Sequence, residues 1–283
     1  MSPEATARRA IVTGASRGIG EEIAKLFASE GAKIVCAART LNEGDHRMLK
    51  GSLAGTVAQI KAAGGDAVAV AVNVADEDDC RKLVQTATDT YGRVDILVND
   101  AALTYYMPVV DYDIKRWITA FAVNVHGPFM LTKMVLPGML ERRSGAIVNI
   151  SSGSAIGPGR TPFNPAARKG GTMYGSTKAA LERFTQGVAH EVDGYNIAVT
   201  AVSPSQVVPT PGTVYHKLVK ALDDPQGEPT EYMARAALLL ASEPADRING
   251  RVTYSQQILG EYGLLANPTG RGVTTKGTGY SEI

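Results

Sequence analysis

Tyr174 and Lys178 stand four residues apart in Tyr-Gly-Ser-Thr-Lys, a spacing that puts both side chains on one face of a helix. A phenol near its reference pKa of ~10 is a poor acid–base group at neutral pH. A neighbouring ammonium favours the phenolate and is expected to lower that value, making proton exchange with an alcohol oxygen feasible. The pair alone is commonplace on helices, so its weight comes from its surroundings. Ser151, Ser152 and Ser154 follow an apolar run at Ala146 to Ile150, where a hydroxyl can hydrogen-bond a substrate carbonyl. Asn124 interrupts a long helical stretch beside Gly127 and Pro128, which suits a local break held by a side-chain or water bond. The plainer alternative for Asn124 is a kink with no catalytic duty.

A second chemistry lies near the N-terminus. Ile11 and Val12 form a short apolar run, and Ile19, Ile23, Leu26 and Phe27 then recur at helical spacing. Gly14, Gly18 and Gly20 lie between them. A strand that turns through glycines into a helix presents backbone N–H groups to a phosphate or pyrophosphate. Ser16, Arg17 and Ile19 belong to the same turn.

The remaining chain supplies the scaffold. Apolar strands are expected at Lys33–Ala38, Ala67–Val72, Asp95–Val98, Ala146–Ile150 and Ile197–Val202. Helical segments separate them at Gly51–Ala63, Glu77–Tyr91, Tyr112–Arg143 and Tyr174–Val192. That alternation specifies an α/β fold, a Rossmann-type doubly wound parallel sheet covered on both faces, as a single domain over 1–258. Ligands of such sheets bind beyond the carboxyl ends of the strands. A loop at 153–173, a lid at 207–229 and a glycine-rich tail at 259–283 are expected around that core.

The 283 residues carry a net charge of +1 with neither sign concentrated, which gives no footprint for nucleic acid or an anionic membrane. No run approaches a membrane span and no apolar leader opens the chain. Cys36 and Cys80 form no metal or redox spacing, and the absence of a disulfide framework suits a cytoplasmic protein. No metal site is expected.

The residue after the second strand selects the nucleotide. An acid there would bond a ribose 2′-hydroxyl, but Ala38 is followed by Arg39. A guanidinium suits a 2′-phosphate, and Arg17 approaches from the glycine turn, so NADP is favoured over NAD. The bland alternative is that both arginines are solvated loop charges.

Thr13-Gly-Ala-Ser-Arg-Gly-Ile-Gly20, Asn99-Asp-Ala-Ala102, Asn124, Ser152 and Tyr174-x-x-x-Lys178 together resemble the short-chain dehydrogenase/reductase family, over roughly Arg9 to Gly250. The resemblance implies that Asn124 holds a relay water, Ser152 polarises a carbonyl, Tyr174 is the acid/base and Lys178 tunes it while binding the nicotinamide ribose. It also implies cofactor contacts at Asn73, Val74, Asn99, Ala101, Pro204 and Val207. Homodimers or homotetramers are common in such proteins, through the helices carrying Asn124 and Tyr174.

This chain departs from the family pattern in several places. Asn73 replaces an aspartate, Asp100 and Ala102 alter Asn-Asn-Ala-Gly, and Ser205 stands for a glycine. A longer Ser152–Tyr174 interval carries Arg160, Pro165, Arg168 and Lys169, and the usual Asp-Gly-Gly near the last strand is missing. The length after the second strand and the chain's ending resemble a hydroxysteroid-dehydrogenase-like subgroup.

The substrate side is expected to be lined by Leu103 to Met107, with Tyr105 foremost, and by Ser154, Ile156, Phe163, Met173, Val207 and Tyr215, mostly apolar or aromatic. The leading expectation is therefore an NADP(H)-dependent oxidoreductase interconverting a hydrophobic or alicyclic ketone and a secondary alcohol. The alternatives are a 3-oxoacyl-thioester ketoreductase or hydroxyacyl dehydrogenase, with Arg168 and Lys169 as anion contacts, and a non-catalytic NADP-binding sensor or scaffold.

Overall fold

The computed structural model describes residues 7–159, 162–163 and 170–274. Seven strands form one sheet: β1 (Arg9–Thr13), β2 (Lys33–Ala38), β3 (Asp66–Ala71), β4 (Ile96–Asn99), β5 (Gly145–Ile150), β6 (Ile197–Ser203) and β7 (Val252–Tyr254). Their order is β3-β2-β1-β4-β5-β6-β7, and every neighbouring pair is parallel. The order reverses direction between β1 and β4, which opens the crevice that such sheets use for ligands. Every residue of β5 and of β6 is buried, as their continuous apolar runs require in a sheet covered on both faces.

The helices are α1 (Gly18–Ser29), α2 (Leu53–Ala62), α3 (Glu77–Tyr91), α4 (Ile114–Phe121), α5 (Gly127–Arg142), α6 (Thr172–Glu191), α7 (Pro211–Tyr215), α8 (Thr230–Ser242), α9 (Ala245–Ile248) and α10 (Ser255–Glu261). On one face Ile23 and Phe27 of α1, Leu53 and Ile60 of α2 and Met233 and Leu240 of α8 close a core with Val12, Cys36 and Val148. On the other face Leu83 of α3, Leu131 and Met139 of α5 and Val188 of α6 pack on Ile11, Leu97 and Ile147. Full burial of each such side chain contributes about 1.5–3 kcal/mol.

Local chemistry sets several boundaries. Asp76 caps α3 by accepting from Asp79 N at 3.0 Å, and Gly92 ends that helix at φ +84°. The helical stretch expected at 112–143 is broken where Asn124 stands, as two helices joined by a π turn, Ala122–His126. Sequence periodicity did not separate α8, whose run of alanine and leucine lacks a distinct polar stripe, or the three-residue β7.

Two segments bear on the crevice. Within 207–229, Thr210 begins the short α7 by accepting from Thr213 N, while Thr213 returns a bond from Thr210 N at 2.7 Å. The stretch after α10 turns back toward the sheet: Pro268 packs on Gly260, and Thr269 N donates to Gln256 Oε1 at 3.0 Å. Arg160, Pro165, Arg168 and Lys169 lie outside the described residues, as does 275–283.

Candidate active site

A cleft of about 1320 Å³ runs along the carboxyl ends of the strands, from Arg39 at one end past the glycine turn to Tyr174 and Phe163. Gly14, Ser16, Arg17, Gly18 and Ile19 line it. Gly14 and Gly18 adopt φ of +73° and +62°, which an L side chain resists. A Cβ on Gly14 would stand 2.6 Å from Asp100 Oδ2, and one on Gly20 would meet the same oxygen at 2.6 Å. Gly20 therefore packs beneath the turn and does not face the cleft. Arg17 precedes α1 and gives it no side-chain cap. A tight glycine turn leading to an uncapped helix N-terminus fits the pyrophosphate of a dinucleotide.

Thr13 locks this turn to the next loop. Its hydroxyl accepts from Asp100 N and Ala101 N, both at 3.1 Å, and donates to Val98 O at 3.2 Å. Ala101, Pro204 and Val207 line the cleft. Asn99 lies below it, where Nδ2 donates to Asn149 Oδ1 at 2.8 Å and ties β4 to β5. Asn73 and Val74 line the far end, and Asn73 Oδ1 already accepts from Ala75 N at 3.2 Å.

The basic end differs in detail from a pair of free arginines. Arg17 Nε donates to Lys50 O at 2.9 Å, and its Nη2 donates to Gly51 O and Thr40 Oγ1. Arg17 thus clamps the long connection after β2 while still lining the cleft. Arg39 and His46 line the same end. Burial, followed by the charges of Arg17 and Arg39, holds the His46 imidazole below its ordinary pKa.

At the opposite end, α6 carries Tyr174, Lys178 and Glu182 at four-residue intervals. Lys178 is 2% exposed, and its Nζ donates to Ile150 O at 2.6 Å, 5.6 Å from the centroid of the Tyr174 ring. Ser152 hydrogen-bonds Tyr174, and its hydroxyl accepts from Ser154 N at 3.2 Å. Ser151 is committed elsewhere, donating to Glu182 Oε1 at 2.6 Å. The geometry separates the two adjacent serines: Ser152 meets the tyrosine, and Ser151 meets the buried carboxylate.

The electrostatics correct one expectation. Burial pushes the Tyr174 phenol up from its ordinary value, with Tyr106 and Asp100 adding to the rise and only the Ser152 bond opposing it. Burial also lowers the Lys178 ammonium's own pKa, to about 8, while Asp100 and Glu182 act to sustain it. Asp100 is pushed up by burial against the pull of Lys178 and of Gly20 N–H. These influences favour the protonated phenol, the form that can donate a proton.

Asn124 is 1% exposed and stands behind the cleft. Its Oδ1 accepts from Leu103 N at 2.7 Å, and its Nδ2 donates to Leu103 O at 2.8 Å and to Thr177 Oγ1 at 3.0 Å. The side chain fixes the cleft-lining loop against α6.

Among the expected substrate contacts, Ser154 and Phe163 line the cleft. Tyr105 does not: Arg116 stacks on its ring at 5.2 Å, and its carbonyl accepts from Tyr112 Oη. Its neighbour Tyr106 lines the wall, with ring centroids 6.3 Å from Tyr174 and 5.3 Å from His216. Tyr215 packs edge-on against His216 outside the cleft, Ile156 also lies off the wall, and Met173 is wholly in the core. Tyr106 falls within the stretch 103–107 expected on the substrate side, whereas sequence reasoning missed His216, Gln206 and Arg271, all on the wall. No alternation pattern marks these three, because loops and the tail supply them.

A parallel sheet with a dinucleotide cradle at its switch point, facing a Ser–Tyr–Lys cluster, defines an oxidoreductase that works with a nicotinamide dinucleotide on CH–OH groups. The sequence matches the short chain dehydrogenase family model over residues 8–217, and the chain belongs to that family, the short-chain dehydrogenases/reductases. It is similar to a short chain dehydrogenase of Pseudocercospora fijiensis, 38% identical over 202 residues, covering 71% of this chain and 60% of that protein. A 3-oxoacyl-[acyl-carrier-protein] reductase of Synechocystis sp. is 35% identical over 199 residues, covering 70% of this chain and 74% of that one. A crystal structure of a candidate dehydrogenase from Xanthomonas campestris superposes with a TM-score of 0.76 at 28% identity, covering 91% of this chain and 89% of the other.

Proposed function

We propose that this protein is an NADPH-dependent reductase that converts a hydrophobic or alicyclic ketone to a secondary alcohol. The observation that carries the reading is Tyr174 hydrogen-bonded to Ser152 on the cleft wall, with Lys178 beneath the ring. Ser152 holds the carbonyl oxygen by a hydrogen bond, and Tyr174 delivers its proton to that oxygen as negative charge develops there. The resulting phenolate regains a proton from solvent. Lys178, anchored on Ile150 O, keeps a positive charge beneath the ring, and Asn124 holds the Leu103 loop in place. The nicotinamide, when bound, supplies the hydride.

Gly14, Ser16, Gly18 and Ile19 cradle the pyrophosphate, with Asn73 and Val74 against the adenine and Ala101, Pro204 and Val207 toward the nicotinamide. The cationic end formed by Arg17 and Arg39, with the His46 imidazole beside them, supports a 2′-phosphorylated cofactor, since no acidic side chain lines that end among the described residues. Exposed Ile114, Ile118 and Phe129 on α4 and α5 support a homodimer or homotetramer. Two free, buried cysteines suit a cytoplasmic location.

A second reading, reduction of a 3-oxoacyl thioester, is favoured by the name of the Synechocystis relative. One assay separates the two readings: NADPH oxidation with cyclic ketones, steroids and 3-oxoacyl thioesters, run in parallel on wild type and Tyr174→Phe. The variant is expected to lose about 10²–10⁴-fold in turnover on whichever class is reduced while keeping its affinity for NADPH. Full activity of Tyr174→Phe would end the proposed mechanism. Tight NADPH binding with no turnover of any class would point to a sensor.

A further inference from the structure

The C-terminal stretch places a cation in the substrate half of the cleft. Arg271 lines the cleft wall, and its Nη1 donates to Gly153 O at 2.9 Å, one residue past Ser152. Among the described residues no carboxylate pairs with this guanidinium. A side chain merely trailing from a loose end would lack the support seen here. Arg271 N donates to Ser205 O at 3.0 Å, and Gln206 Nε2 donates to Thr269 Oγ1 at 2.9 Å. Gln256 receives Thr269 N on Oε1, and its Nε2 donates to the buried Glu228 carboxylate at 3.0 Å. Ser255 Oγ donates to the same carboxylate at 2.6 Å.

The backbone is shaped for this approach. Gly270 has φ +84° and would carry a Cβ only 2.6 Å from Ser205 O, while a Cβ on Gly153 would stand 2.9 Å from Arg271 Cδ. Ser205 also turns its hydroxyl to Gln256 N at 3.1 Å, so this departure from the family's glycine helps hold the tail.

From this arrangement we infer that Arg271 is a specificity-determining residue that binds a carboxylate on the ketone substrate. The inference rests on the reductase reading of the cleft. One planar guanidinium with free donors matches one carboxylate in a two-bond fork. The neighbouring wall, with Ala155, Phe163, Val207 and Leu218, takes the apolar body between the carboxylate and the carbonyl. The substrate class is a hydrophobic or alicyclic oxo acid.

Calorimetric titration of the NADPH-loaded protein with cyclohexanecarboxylate and with cyclohexanecarboxamide tests the carboxylate contact without requiring turnover. Wild type is expected to prefer the carboxylate about 10- to 100-fold. Arg271→Gln should bring the two within about twofold while leaving the carboxamide affinity unchanged, and Arg271→Lys should recover part of the preference. A preference that survives Arg271→Gln, or no preference in wild type, would overturn the assignment. So would an equal loss for both probes, which marks a structural role, or a matching loss of NADPH affinity, which marks a cofactor clamp.

A kinetic arm uses 4-oxocyclohexanecarboxylate and its methyl ester. Arg271→Gln should raise KM for the acid alone, with kcat on the ester retained. An Arg271-dependent binding preference without turnover of either ketone would refute the reductase reading and leave the anion site standing. Turnover lost in Tyr174→Phe but indifferent to Arg271 would do the reverse.

Discussion

Asp100 stands where two influences meet, below the glycine turn and within the field of Lys178. Its charge raises the Tyr174 phenol and sustains the Lys178 ammonium, so it tunes both groups without lying on the proton's path. Alcohol oxidation needs the phenolate and therefore climbs with pH as Tyr174 ionises. In Asp100→Asn one of the influences that raise the phenol is gone, so the ascending limb should move toward lower pH. Ketone reduction, which needs the neutral phenol, should begin to fall at correspondingly lower pH. A limb that stays put or moves to higher pH would show that Asp100 does not act on the tyrosine. Arg39 governs the other end of the cleft: Arg39→Asp should swing the NADPH/NADH ratio of kcat/KM toward NADH by about tenfold or more, because a carboxylate repels a 2′-phosphate and accepts from a 2′-hydroxyl. An unchanged ratio would remove Arg39 from cofactor selection.

At the scale of elements, the π turn between α4 and α5 exists to aim one amide. Asn124 satisfies the N–H and C=O of Leu103 and reaches Thr177 on α6, so three segments meet on one buried side chain. Asn124→Ala leaves those buried groups unpaired and should cost about 3 kcal/mol. Thermal denaturation is expected to report this as a fall of about 5–10 °C in Tm. A change under about 1 °C would mean that water replaces the amide at no cost.

The break itself was legible in the chain, because an asparagine beside Gly127 and Pro128 contradicts an uninterrupted helix. Strands β2, β5 and β6 were legible for a related reason: a parallel sheet buried on both faces leaves a solid apolar run. Arg271 was not legible, and the stretch 103–107 was legible only as a stretch. Nothing local distinguishes Tyr106 from Tyr105, and only the fold decides which ring turns inward. Arg271 reaches Gly153 across 118 positions of sequence, a contact set by how the tail returns. The pKa of Tyr174 was misjudged from spacing because the four-residue interval reveals the ammonium and conceals the burial that outweighs it.

Over the whole molecule, the two faces of the sheet hold both thiols in dry cores. Burial, with a contribution from Glu21, pushes the Cys36 thiol up to about 12, and burial with the acids at the start of α3 pushes Cys80 up to about 11. The thiolate is the reactive form, so neither cysteine should react at pH 8 with a disulfide reagent such as dithionitrobenzoate while the fold is intact. Both should be labelled in guanidinium chloride. Rapid labelling of the native protein would reveal opening of the corresponding core.

The match to the family model ends at residue 217, yet the chain continues through α8 and β7 to the segment that lays Arg271 across the cleft. The arginine inferred to bind the substrate's carboxylate thus lies, along the chain, well beyond the glycine turn and the Tyr174–Lys178 pair. An exchange downstream of β7 would replace that one cation on the wall and leave the glycine turn, Tyr174 and Lys178 in place. Such a chain can acquire a new diet from a short terminal piece, and grafting 262–274 onto a neutral-ketone reductase, together with Ser205, Gln206 and Gln256 that hold it, offers a way to transplant its taste.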